Sequence, residues 1–174
     1  MSELTIPVSE TDHIQGSPQA PVTLLEYGDY QCPYCGQAYP IIKDIQASLG
    51  GKLRFVFRNF PLTKAHPSAE LAAEAAEAAA MSGKFWEMHD TLYMNQNALS
   101  EESLVEYARR LGLDVPKFVE DLAKRRFKSR VRNDFIGGVR SGVSGTPGFF
   151  INGERHDRSW DYDTLLRALS RLSG

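Results

Sequence analysis

The chain has 174 residues, 42% hydrophobic and 24% charged, the usage of one globular domain or of one domain carrying a large insertion. Twenty Lys and Arg against 22 Asp and Glu leave a net charge of −2, which argues against nucleic acid as a partner. No apolar run approaches the roughly 18 residues of a membrane span, so no membrane insertion is expected.

Residues 1–19 read as a loose N-terminal lead-in, punctuated by Gly16, Ser17 and Pro18. Met1 to Glu10 has neither the cationic start nor the apolar stretch of a signal peptide. With Met1 as the native start a cytoplasmic site is expected. An upstream signal sequence would instead make this a periplasmic or otherwise extracytoplasmic mature form. Val22–Tyr27 is a short, mostly apolar run before Gly28 and reads as a buried strand. A helix is expected from Cys32 to about Leu49, closed by Gly50-Gly51 and kinked at Pro40. Leu53–Arg58 reads as a second strand, stopped by Pro61.

From Pro67 to about Arg140 the patterns are all helical. Ala69–Met81 is alanine-rich and ends at Gly83, and Lys84–Asn95 carries Phe85, Trp86 and Tyr93 as core. Ser100 and Asp114 are helix caps. Phe118, Val119 and Leu122 are expected to point inward, and Phe127, Val131, Phe135 and Val139 recur at i+4 spacing as one apolar stripe. The basic run Lys124, Arg125, Arg126, Lys128, Arg130 and Arg132 then reads as the solvated face of an amphipathic helix, and His66-Pro67 as a helix start without chemistry. Gly148–Ile151 returns to strand, Asn152-Gly153 signals a tight hairpin, and Asp161–Leu172 is a last helix with Leu165, Leu166, Leu169 and Leu172 inward. The order β-α-β, helical block, β-β-α describes an α/β core with a parallel strand pair and an inserted helical block.

The chemistry concentrates at Cys32-Pro33-Tyr34-Cys35, the only cysteines of the chain. They are too few for a disulfide-stapled fold or a four-Cys zinc site. The motif follows a strand and opens a helix. At i and i+3 the two sulfurs are neighbours and can close a small disulfide ring. The helix N-terminus favours a thiolate at Cys32, and Pro33 fits the first turn because its missing N–H costs no bond there. Cys32 is therefore the expected attacking thiol and Cys35 the resolving one. A metal site would need further ligands, and His13, His66, His89 and His156 are scattered, so no metal is expected. Glu26, in the buried first strand, should have a raised pKa and could pass a proton to or from Cys35.

The segment Glu26-Tyr27-Gly28-Asp29-Tyr30-Gln31-Cys32-Pro33-Tyr34-Cys35 resembles the active-site segment of the DsbA-like branch of the thioredoxin superfamily. Gly142–Gly153, containing Thr146-Pro147, resembles that branch's cis-proline loop with its following strand and hairpin, and the helical block between them matches its inserted domain. The resemblance covers roughly residues 20–172. It implies a thioredoxin fold, a central mixed sheet flanked by helices, from residues 20–62 and 142–172, with an inserted all-helical domain at 63–141 lying over the redox face. It further implies that Thr146-Pro147 is cis and lies against the sulfurs, where the Thr146 backbone would pair with an extended substrate segment. It supports the acid at Glu26. The expected activity is protein thiol–disulfide exchange without a bound cofactor. Its partners would be protein or small-thiol disulfides and a redox partner that recycles the dithiol, with the chain acting as a monomer. The rival is a non-catalytic thioredoxin-fold module holding copper or a client protein. The best-known DsbA proteins have Pro-His between the cysteines where this chain has Pro33-Tyr34. Without that positive charge, a Cys32 pKa of roughly 5–7 and a potential of roughly −150 to −240 mV are expected.

Overall fold

Val22–Gly28 (β2) is buried at every position, which puts this strand in the middle of a sheet. In the computed structural model, which describes residues 2–174, β2 pairs on one side with Leu53–Asn59 (β3) in parallel, the two joined by a crossover through Pro33–Leu49 (α1). On its other side β2 pairs antiparallel with Gly148–Ile151 (β4), which turns at Asn152-Gly153 into Glu154–His156 (β5). Asn152 sits at φ +48 and Gly153 at φ +86, the positive pair that a two-residue hairpin of primed type requires.

The stretch read as a loose lead-in contains a fifth strand. His13–Gly16 (β1) pairs antiparallel with β3, completing the order β1-β3-β2-β4-β5. One apolar residue in four carries no strand pattern, so pairing with the open edge of β3 decides it. Gly16 lies at φ +97 against the Leu53 carbonyl, where no side chain fits. Met1 lies outside the described residues.

Five helices lie between β3 and β4: Ala69–Ala80 (α2), Phe85–Met94 (α3), Glu101–Arg110 (α4), Val115–Ala123 (α5) and Lys128–Arg140 (α6); Tyr162–Ser170 (α7) follows β5. The alanines let α2 lie at the centre of this block, packed on α3, α4, α5 and α6. Ser100, Asp114 and Asp161 cap their helices by accepting from the backbone N–H three residues on. Three inward expectations fail: Val119 in the middle of α5, Val139 near the end of α6 and Leu172 just beyond α7 are exposed. Beyond Phe135 the buried side of α6 is formed by Gly137 and Gly138, which lie close against Tyr27 and Phe60, and Val139 faces outward. The basic run is largely paired, Lys124 with Glu120, Arg125 with Glu70 and Glu74, and Arg126 with Asp121. Among the described residues no helix is long and apolar enough to cross a membrane.

The sheet separates two cores. Alternation along β2 sends Val22, Leu24 and Glu26 to one face and Leu25 and Tyr27 to the other. Val22 and Leu24 join the larger core, with α1, α7 and most of the helical block, whereas Leu25 and Tyr27 pack with Val56, Phe60 and Phe150, and with Phe135 of α6. Glu26 therefore points toward the beginning of α1 and toward α3.

Candidate active site

Cys32 is the N-cap of α1 and Pro33 its first helical residue. The first turn holds no acidic side chain, so nothing there competes with a thiolate for the helix N-terminus. Cys35 lies one turn in and is fully buried; both cysteines are free thiols. Tyr34, between them, points outward and is 61% exposed. Opposite stands the loop before β4. The Thr146-Pro147 bond is cis, and Cys32 Sγ donates to the Thr146 carbonyl at 3.6 Å. The loop places the Thr146 backbone carbonyl beside the sulfur.

The two sulfurs have opposite acidities. Cys32 is held down to about 5, chiefly by the hydrogen bond that the Cys35 thiol donates to it, against the opposing effect of burial; the Thr146 hydroxyl and the backbone N–H groups of Cys35 and Tyr34 add to the lowering. Among the described residues the buried Thr146 hydroxyl has no hydrogen-bond partner at ordinary geometry. Cys35 is pushed well above its ordinary range, first by burial, then by donating to Cys32 and by the nearby Glu26 charge. At neutral pH the pair is thus a thiolate in front of a protonated thiol.

Glu26 sits between Phe57 and Phe149 in neighbouring strands and is 2% exposed. Burial, with a smaller contribution from the Cys32 charge, raises its pKa to about 8. Its Oε2 has no hydrogen-bond partner among the described residues. A carboxyl in this state carries its proton at pH 7 and lies within reach of giving it up.

Three further residues hold the turn, and sequence reasoning gave none of them a part in it. Asp29 is the anchor. Its Oδ1 accepts from the Gln31 and Cys32 N–H groups at 2.7 and 3.1 Å, and its Oδ2 accepts from the Leu62 N–H at 2.9 Å and meets His66 Nδ1 at 2.8 Å. His66 therefore has a task, contrary to its reading as a plain helix start: it ties the beginning of the helical block to the redox turn. The Asp before a short loop and a helix start is a signal for such a turn. Gln96, just beyond α3, donates through Nε2 to the carbonyls of Tyr30 and Cys32 at 3.0 and 2.8 Å. It passes so close over Gly36 that a side chain there would overlap it. Nothing in the sequence marks Gln96, because its partners are backbone atoms some 60 positions away.

A reduced-thiol helix start facing a cis-proline across the end of a mixed sheet defines the thioredoxin class, and the family model described as Thioredoxin matches residues 8–171. The chain belongs to the thioredoxin family, and its fold is that of the DsbA-like thiol–disulfide oxidoreductases. Among solved structures it is similar to BdbD from Bacillus subtilis, with 25% identity over 99% of this chain and 98% of that one and a TM-score of 0.87. It is also similar in fold to the thiol-disulfide exchange protein alpha-DsbA2 from Wolbachia pipientis, with 22% identity, 94% and 88% coverage and a TM-score of 0.80. Among curated relatives it is 47% identical to the Na(+)/H(+) antiporter NhaA 1 of Salinispora arenicola over 97% of this chain but 26% of that protein. The chain spans about a quarter of the length of the curated relatives it matches.

Proposed function

We propose that the chain catalyses protein thiol–disulfide exchange, with Cys32 as nucleophile and Cys35 as resolving thiol. The observation that carries this reading is the split in acidity between two adjacent sulfurs, one lowered to about 5 and one raised by burial. In the reducing direction the Cys32 thiolate attacks a substrate disulfide, forming a mixed disulfide and releasing one substrate thiolate. Cys35 then loses its proton, and its sulfur attacks the Cys32 sulfur. The Cys32–Cys35 bond forms, the mixed disulfide breaks, and the second substrate thiolate leaves. Two electrons have passed from the dithiol to the substrate. In the oxidising direction the same steps run backward, starting from a substrate thiolate on the Cys32–Cys35 disulfide.

Glu26 is the proton acceptor for Cys35. Its pKa depends in part on the Cys32 charge. When Cys32 enters the mixed disulfide that charge disappears, the Glu26 carboxyl ionises more readily, and a base becomes available at the step that needs one. The Thr146 backbone beside the cis bond pairs with an extended substrate segment. Pro147, with no N–H, fills the space by the sulfur without a competing donor. Pro33 and Tyr34 shape the turn. The unit of residues 20–62 and 142–172 carries the chemistry, extended by β1, while residues 63–141 cover the redox face. The partners are protein or small-thiol disulfides and a thiol–disulfide protein that resets the pair, and the catalytic unit acts as a monomer.

The test is turnover of a disulfide-bonded peptide in a glutathione buffer. Wild type should exchange, Cys32→Ser should not, and Cys35→Ser should accumulate mixed disulfides on non-reducing gels. Trapping by Cys32→Ser and none by Cys35→Ser would reverse the assignment; no exchange by the wild-type dithiol would end it.

A further inference from the structure

Tyr93 approaches the redox site from α3. Its hydroxyl is buried and, among the described residues, has no hydrogen-bond partner. Glu26 Oε2 is in the same condition. A buried polar atom without a partner is costly, and such atoms in native proteins call for an explanation. Here the two are neighbours. A side-chain carbon built on Gly28 would come within 2.8 Å of Glu26 Oε2 and 2.9 Å of the Tyr93 hydroxyl. Both oxygens thus face the same point beside the Gly28 backbone, within the span that one bridging water covers. Phe57 closes the other side of that point at 2.5 Å. The Tyr93 ring is held by Tyr30, Tyr39 and His89, with centroids at 4.9, 5.4 and 5.1 Å, so its hydroxyl has little freedom to turn elsewhere.

We propose that Tyr93 is a positioning residue for the exchange reaction: its hydroxyl, through one water, hydrogen-bonds the Glu26 carboxyl and holds the proton acceptor that serves Cys35. The inference rests on the reading of Glu26 as that acceptor. It gives the helical block a part in the chemistry. The phenol suits the task because it does not itself titrate. Burial first, then the charges of Cys35 and Glu26, push its pKa well above the ordinary range, so it stays neutral, donating to the carboxylate and accepting from the acid. The other groups around the pair are Cys32 and Cys35 at the start of α1, and Asp29 and Tyr30 before it. His89 on α3 is kept neutral by burial and bonded through Nδ1 to the Tyr30 hydroxyl at 2.9 Å. Glu77 of α2 and Asp90 of α3 act on Tyr30, and Lys43 of α1 on His89. In the resolving step the Cys35 S–H bond breaks and its proton passes to Glu26; the sulfur electron pair forms the bond to Cys32 Sγ while the Cys32–substrate S–S bond breaks and the substrate leaves as a thiolate; Tyr93 ends the step with the proton it began with. A hydrogen bond is stronger to a charged acceptor than to a neutral one. Tyr93 therefore keeps the Glu26 pKa below the value that burial would otherwise impose.

The experiment is infrared difference spectroscopy of the reduced full chain across pH, with Glu26→Gln assigning the protonated carboxyl band of Glu26. In Tyr93→Phe that band should move to higher frequency. Its titration midpoint should rise by about 0.5–1 pH unit, and the pH midpoint of Cys35 resolution should rise with it. Site-specific 3-fluorotyrosine at position 93 keeps the packing and donates more strongly, so it should lower both midpoints. This second variant decides the matter if the Phe variant folds poorly. A band and midpoint unmoved by either replacement overturn the role of Tyr93. An unchanged exchange profile in Glu26→Gln overturns the acceptor reading itself, and the two failures are read from different variants.

Discussion

Glu26→Gln should become progressively more stable than the reduced wild type as pH rises above about 6. Glu26 titrates at about 8 in the folded chain against an ordinary 4.5. Between those values the folded carboxyl keeps a proton that the unfolded one has lost, so the folded state binds more protons and stability falls with rising pH. At about 1.36 kcal/mol per pH unit, the wild-type penalty is under about 1 kcal/mol at pH 5 and close to about 4–5 kcal/mol at pH 8.5. Relaxation around the buried charge reduces this, and a buried glutamine amide has its own cost of about 1–2 kcal/mol at both pH values. The difference in unfolding free energy between Glu26→Gln and wild type should therefore move by about 2–4 kcal/mol in favour of the variant between pH 5 and 8.5. The lowered pKa of Cys32 acts with the opposite sign, adding stability that is lost as pH falls through about 5, but it is present in both proteins and largely cancels. Urea denaturation of both reduced proteins at several pH values measures the quantity. In the Cys32–Cys35 disulfide form the Cys32 charge is gone and the gap should narrow. Parallel stability curves from pH 5 to 8.5 would refute the placement of an uncompensated carboxyl at this position.

Three other outcomes are expected. Cys35→Ala removes the largest influence on Cys32, so the Cys32 thiolate, followed by ultraviolet absorbance, should titrate about 1 unit or more above its value near 5; an unmoved midpoint would assign the lowering to Thr146 and the backbone N–H groups of the helix start. Tyr34→His puts a positive charge beside Cys32 and should raise the reduction potential by about 30–60 mV against glutathione, and no rise would mean that the dipeptide does not control the potential. Asp29→Ala strips a buried acceptor from three backbone N–H groups and His66. It should cost about 3–5 kcal/mol in urea unfolding and slow exchange; a loss below about 1 kcal/mol would show that the turn holds itself.

Much of this protein was legible in residue order alone, because its main signals are local. The apolar run Val22–Tyr27, the Cys-x-x-Cys at a helix start, the caps at Ser100 and Asp114 and the Asn152-Gly153 turn are each decided by neighbours a few positions apart. The burial of Glu26 followed from the same locality, since a strand apolar on both faces leaves an acid within it no route to water. What only the tertiary structure decided depends on partners far along the chain. His13–Gly16 becomes a strand because the edge of β3 is open to it. Val119, Val139 and Leu172 fall outside the core because docking turns other residues inward, Phe118 and Leu122 on α5, Gly137 and Gly138 on α6, and Leu165 and Leu169 on α7. His66 and Gln96 acquire their tasks from Asp29 and from backbone carbonyls of the redox turn. Tyr93 looked like any core aromatic at helical spacing. Its ring is one, but the position of its hydroxyl beside Glu26 is set by how α3 docks against Gly28. A hydrophobic pattern specifies which side of an element is buried; the atom that a buried polar group meets there is set by packing between elements.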